Sequence, residues 1–201
     1  MEKSKKELPI VTIPDAVLRK KAADVPAASI AAPKIQLLIR GMKAALATAP
    51  DGVGLAAPQV GEALRLFIVS EEAKEVDRAE RAGWKRRRDG SGDTVAEKPY
   101  EKREWKYYVF INPAVKNTSR KKLDGPEGCL SVPGKFGIVA RHEKITVEAR
   151  DEHGKKITRG TSGFFARVIQ HELDHLDGVL FIDKAKDLMN VPMQEKTEAK
   201  N

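Results

Sequence analysis

The chain has 201 residues, 37 Lys+Arg against 29 Asp+Glu for a formal net charge of +8, and a single cysteine. That length suits one domain with its own core, lone Cys129 excludes an intramolecular disulfide, and no apolar run approaches the roughly 18 residues needed to cross a bilayer. With no leader-like N-terminus the chain reads as cytoplasmic, and its basic residues, spread out without interleaved aromatics, read as a solubilising surface rather than a nucleic-acid footprint.

Residues 9–13 (PIVTI) predict a short strand, and Pro14 and Asp15 a turn. The helical spacing of Ile30, Ile35, Leu38, Ile39, Met42, Ala45 and Leu46 predicts a core helix over 29–48, capped by Ser29. A Gly-rich apolar loop, DGVGLAAPQVGEA, leads into a strand at 64–70, and a second strand is expected at 106–113, ending at Pro113. Between them, 71–106 is dense in Glu, Lys and Arg and reads as a charged insertion whose first half forms a surface helix.

GIVAR (137–141) and KITVEAR (144–150) predict strands, and DEHGKK turns the chain back through another at 155–159. After Gly163 a helix runs to Leu176 and stops at Gly178. VLFID is expected as a last strand, and the polar tail 189–201 as disordered. Strands early, a long helix late and no βαβ alternation predict an α+β fold with antiparallel sheets packed around a central helix, residues 1–188 forming one catalytic domain.

That helix carries QHELDHLDG, in which His171 and His175 are four apart and so share a face, able to turn imidazoles to one ion. Glu172, beside the first histidine, is placed to reach a water on that ion without binding it. Phe164, Phe165, Val168, Ile169 and Leu173 bury the helix, where unpartnered histidines are costly. A chance pair of core histidines is the plainer alternative.

The third ligand is not local. The position three past Gly178, where one metalloprotease class has a histidine, holds Phe181; Glu195 lies in the polar tail; and His142 and His153 read as hairpin and turn residues. Cys129 remains, in the turn-rich stretch GPEGCLSVPG. Its plainer reading is a small buried hydrophobe. A His₂Cys set would leave one tetrahedral position open to water.

Three segments, GVGLAAPQVG (52–61), EGCLSVPG (127–134) and QHELDHLDGVLFID (170–183), resemble in the same order the signature motifs of the peptide deformylases. The resemblance spans about residues 9–188, and the insertion at 71–106 is longer than the family usually has. It implies removal of the N-formyl group from the N-terminal methionine of nascent polypeptides, releasing formate. Cys129, His171 and His175 would hold one divalent metal ion, usually Fe2+ in this family, with Zn2+, Ni2+ or Co2+ able to replace it. Glu172 would pass a proton from water to the departing amine, while Gln59 and the backbone N–H of Leu130 stabilise the developing oxyanion.

Gly52 and Gly54 would let an extended peptide approach as an added strand, with Val53, Phe164 and Val168 forming the methionine pocket. The plainer reading of those three is core, and of Gln59 an exposed amide. Arg167 receives no role. The expected partners are N-formylmethionyl nascent peptides and a transient ribosome contact aided by residues 81–88 with Lys85, Arg86, Arg87 and Arg88; neither DNA nor membrane is expected, and the protein reads as a monomer. Two other readings stay open: a metallopeptidase with a cleft on both sides of the metal, and a basic ribosome-associated module whose metal is structural.

Overall fold

The structure, a computed structural model, describes residues 8–49, 52–81 and 105–190. Its elements in chain order are α1 (Pro33–Thr48), β1 (Gly54–Ala56), β2 (Leu66–Ser70), α2 (Glu72–Arg81), β3 (Tyr107–Thr118), β4 (Lys122–Cys129), β5 (Val132–His142), β6 (Lys144–Arg150), β7 (Lys156–Ser162), α3 (Gly163–Leu176) and β8 (Lys186–Asn190). The strands form a five-stranded sheet, β1-β2-β3-β6-β7, and a three-stranded sheet, β4-β5-β8. Every strand pairing is antiparallel. Helix α3 lies between, against β1, β2, β6 and β7 of the larger sheet and β5 of the smaller.

Alternation explains which faces meet. Along β6 the residues Ile145, Val147 and Ala149 point inward, joining Phe67, Val69 and Phe110 against Phe165, Ile169, Leu173 and Leu176 of α3. The opposite face of β2, Leu66 and Ile68, packs with Val109 and Ile111 on Ile35, Ile39, Met42 and Leu46 of α1. Strand β2 is therefore buried on both faces, which is why it reads as a continuous apolar run. A third cluster of Leu18, Val132, Val139, Leu180 and Phe181 fills the space beneath the smaller sheet.

Both ends of α3 are held by distant segments. Asp77 of α2 accepts hydrogen bonds from Phe164 N and Phe165 N at the start of the helix. Ala22 N donates to Leu176 O at 2.8 Å at its end. The chain leaves through Gly178 at φ 72°, where a Cβ would lie 2.6 Å from Arg19 O. Only glycine combines that conformation with so close a backbone.

Several local expectations are corrected. Residues 9–13 make single bonds instead of a ladder, Val11 N to Gln59 O at 2.8 Å and Ile13 N to Ser131 O at 2.9 Å, so they form no strand. Ser29 ends a separate 3-10 turn, and α1 starts at Pro33, whose missing N–H and fixed φ suit the first helical position. Strand β3 continues past Pro113 to Thr118, because register shifts on either side of Ala114 relieve the ladder bond that proline cannot make. Helix α2 is not merely a surface helix, since Glu72 and Ala73 are buried.

The stretch around Cys129 is not turn-rich: it is two long strands, β4 and β5, separated only by Leu130 and Ser131. Its glycines serve close cross-strand approach, for a Cβ on Gly128 would lie 2.6 Å from the Phe136 ring. VLFID is no strand either. Phe181–Asp183 form a 3-10 turn that buries Leu180 and Phe181, a choice that a short apolar run leaves open. Met189 and Asn190, assigned to the tail, belong to β8; residues 191–201 and the run Lys85–Arg88 lie outside the described residues.

Candidate metal centre

Strand β4 ends on Cys129 at the point where α3 presents His171 and His175, one turn apart. One donor atom from each of the three residues lies within 4.8 Å of the others. Cys129 Sγ is 3.2 Å from His175 Nε2, and the two imidazole centroids are 5.0 Å apart. Among the described residues this is the one such cluster. One soft sulfur and two imidazoles suit a divalent transition ion with an open fourth position.

Two of the three donors are oriented by neighbours. His171 Nδ1 lies 3.0 Å from Glu127 Oε2, which makes it the donor to a carboxylate and leaves Nε2 for an ion. Burial pushes the pKa of His175 well below the ordinary imidazole range, with the nearby Arg141 guanidinium adding to the effect, so it is neutral as a ligand must be. The Cys129 sulfur accepts from Ser131 N at 3.4 Å and Gln59 Nε2 at 3.5 Å.

Glu127 is itself clamped. Its side chain is 4% exposed, and Arg141 Nε and Nη2 reach its two oxygens at 2.8 Å each while Arg167 Nη1 donates at 2.9 Å. Burial alone would raise its carboxyl, but Arg141 and His171 outweigh it and hold the group at about 2. Arg141 also binds Asp174 Oδ2 at 2.6 Å, and Arg167 spreads its other bonds over Leu123 O, Gly125 O and Val139 O. Arg167 thus gains a place: it stitches α3 to β4 and β5. Gly125 must be small because a Cβ there would lie 2.7 Å from that guanidinium.

Glu172 is 3% exposed, and burial pushes its carboxyl up to about 7. Its Oε2 and His175 Nδ1 are buried without a hydrogen-bond partner among the described residues. An orphaned buried carboxylate oxygen signals a missing donor. The backbone of β1 lies against it: a Cβ on Gly54 would sit 2.3 Å from Glu172 Oε1 and 2.9 Å from Val168 Cγ1.

Gln59 is 2% exposed, not an exposed amide. Its Oε1 accepts from Ala56 N at 2.8 Å, and Nε2 donates to Ser131 Oγ at 3.2 Å, so the amide is fixed beside the Cys129 sulfur. Leu130, in the turn after Cys129, packs towards α1, with its Cδ1 3.0 Å from where a Gly52 Cβ would be. Val53 and Phe164 are half-buried on the cluster that contains Val168, along the side of α3 that also bears Glu172. The sequence-predicted residues therefore fall into one region. Glu127, Ser131, Arg141 and Asp77 were missed; only Glu127 offered a signal, as a carboxylate two positions before the sulfur.

A family model described as polypeptide deformylase matches residues 7–191. The chain is 38% identical over 184 residues to peptide deformylase 1A, chloroplastic/mitochondrial, of Arabidopsis thaliana, a match that covers 91% of this chain and only 63% of the plant protein. It is 38% identical over 189 residues to peptide deformylase 2 of a Nostoc species, covering 94% of this chain and 92% of that one. The Met-Ala-Ser-bound class I type b peptide deformylase from Acinetobacter baumannii matches with a TM-score of 0.69 at 29% identity, over 90% of this chain and 99% of that one.

Proposed function

Because the chain belongs to the polypeptide deformylase family, we propose that it hydrolyses the formamide of N-formylmethionyl nascent peptides, releasing formate and a free N-terminal amine. What carries this reading is the convergence of Cys129 with His171 and His175 within 4.8 Å, beside Glu172, which keeps a buried oxygen without a partner among the described residues. These three residues hold one divalent ion in the proposal, Fe2+ by the family's habit, although Zn2+, Ni2+ or Co2+ suit the same donors. Such an ion, when bound, supplies Lewis acidity that polarises a carbonyl and acidifies a water.

The chain's own groups do the rest. Glu172 takes the proton of the attacking water on its unpartnered oxygen and delivers it to the nitrogen of the departing amine, which would otherwise leave poorly. Gln59 Nε2, held in place by Ser131, and the N–H of Leu130 face the charge that develops on the formyl oxygen. Strand β1 is the edge of its sheet, which supports an extended substrate pairing there beside Gly52 and Gly54. Val53, Phe164 and Val168 then enclose the methionine side chain.

Among the described residues no helix is long and apolar enough to cross a membrane. The substrate places the protein where translation starts with formylmethionine, which we read as the cytoplasm. A monomer with one catalytic domain over 1–188 and a transient ribosome contact complete the reading. Formate release from formyl-Met-Ala-Ser, measured on anaerobically purified protein with its metal content, is the test. Metal-loaded protein that releases no formate would overturn the proposal.

A further inference from the structure

Helix α3 starts without help from its own N-cap, since Ser162 makes no side-chain capping bond. The help comes from another helix. Asp77 Oδ1 accepts from Phe164 N at 2.6 Å and Oδ2 from Phe165 N at 3.0 Å, the two amides that a cap residue would serve. The carboxylate also meets the positive end of the helix dipole. Gly163 makes room: it takes φ 65°, and a Cβ there would lie 2.3 Å from Asp77 Oδ1.

Helix α2, which carries Asp77, is fixed at its own start by the substrate-side loop. Ser70 N donates to Val53 O at 2.8 Å, and Ser70 Oγ accepts from Glu72 N at 3.2 Å. Ala73, fully buried in the core around α3, lies four residues before Asp77 on the same face and lets the two helices approach closely. A continuous path therefore runs from Val53 through Ser70 and α2 to Phe164. It joins two walls of the proposed methionine pocket from behind.

We propose that Asp77 is a positioning residue for substrate binding: by holding the first amides of α3 it fixes Phe164 relative to Val53 and so sets the width of the pocket for the N-terminal side chain. The inference rests on the deformylase reading. The groups on α3 that perform the chemistry, His171, Glu172 and His175, lie two turns and more beyond the cap, and Cys129 is on β4, so loss of the cap acts on binding before it acts on turnover.

The test compares the parent with Asp77→Ala and Asp77→Asn, metal-loaded, on formyl-Met-Ala-Ser and formyl-Ala-Ala-Ser. In Asp77→Ala the KM for the methionyl peptide rises on the order of tenfold with kcat within about threefold, and the preference over the alanyl peptide shrinks. Asp77→Asn, which keeps an acceptor oxygen, recovers part of the KM. Amide exchange at Phe164 and Phe165 accelerates in the alanine variant while metal content holds. A lowered melting temperature with KM and the methionine preference unchanged would show a purely structural cap and overturn the proposal, and if the alanine variant fails to fold, the same result in Asp77→Asn decides. No turnover by the parent would bring down the function itself, whereas normal parent turnover with an unmoved KM removes only the role of Asp77.

Discussion

Glu127 Oε2 accepts the Nδ1 proton of His171 at 3.0 Å, and the same carboxylate is gripped by two arginines that come from different elements. Orientation of the ligand and charge balance of the interior are therefore one arrangement. In Glu127→Gln the imidazole loses its anionic acceptor, and metal affinity falls by about 10- to 100-fold. Arg141 and Arg167 are left buried with too little negative charge, and stability drops by about 3–5 kcal/mol. Metal titration and denaturant unfolding measure the two effects separately; full affinity in the variant would show that His171 needs no such partner.

Glu172→Gln keeps the shape of the side chain and removes its ability to carry a proton. Metal content stays normal while kcat falls by on the order of 10² to 10⁴. Rate and metal analysis on one preparation form the check. Turnover near that of the parent would take Glu172 out of the reaction.

Cys129→Ala leaves two imidazoles, too few to hold an ion firmly. Both metal and activity are lost, and the variant resembles the parent treated with a chelator. Because an ion that binds only the folded state stabilises it by about 2.7 kcal/mol at a hundredfold excess over its Kd, chelation lowers the parent's melting temperature and leaves that of Cys129→Ala unchanged. A variant that retains stoichiometric metal would place the third ligand elsewhere.

Gly54→Ala inserts a methyl group at a point 2.3 Å from Glu172 Oε1 and 2.9 Å from Val168 Cγ1. Something must shift, and the cost of such overpacking is about 1–3 kcal/mol. Glu172 moves or β1 does, so kcat/KM falls by about 10- to 100-fold with metal content intact. A fully active alanine variant would mean that neither β1 nor Glu172 is held where the structure has them.

The pairing of the two histidines was legible because the helix makes spacing into geometry: His171 and His175 are neighbours on α3 for any sequence that stays helical there, whereas nothing in the spacing brings Cys129 to them. The rest of the centre depends on pairs whose members are far apart along the chain, Glu127 with Arg141 at 14 residues, with Arg167 at 40, and Asp77 with Phe164 at 87. Apart from the nearness of Glu127 to Cys129, nothing local selects among the chain's many charged residues. Strand β4 escaped for another reason. Lys122–Cys129 includes two glycines and a proline, breakers in a local reading, yet in the folded chain Gly125 and Gly128 admit Arg167 and Phe136. The fold class was readable from the order of elements, whereas bulges such as the one carrying β3 past Pro113 are set by the partner strand.

The double anchorage of α3 fixes when the centre can exist during synthesis. Its C-terminal turn is closed by Ala22 and its first turn by Asp77, both of which precede it in the chain. A ribosome delivers α3 after both, at a rate of about 5–20 residues per second, so the early segments wait open for seconds with their amides and carboxylate facing water. The donors converge only when the last helix threads between anchors that are already in place. Loss of either anchoring segment therefore loosens the proposed ion site from a distance, and a chain without the segment that carries Ala22 binds metal weakly even though all three donors are present.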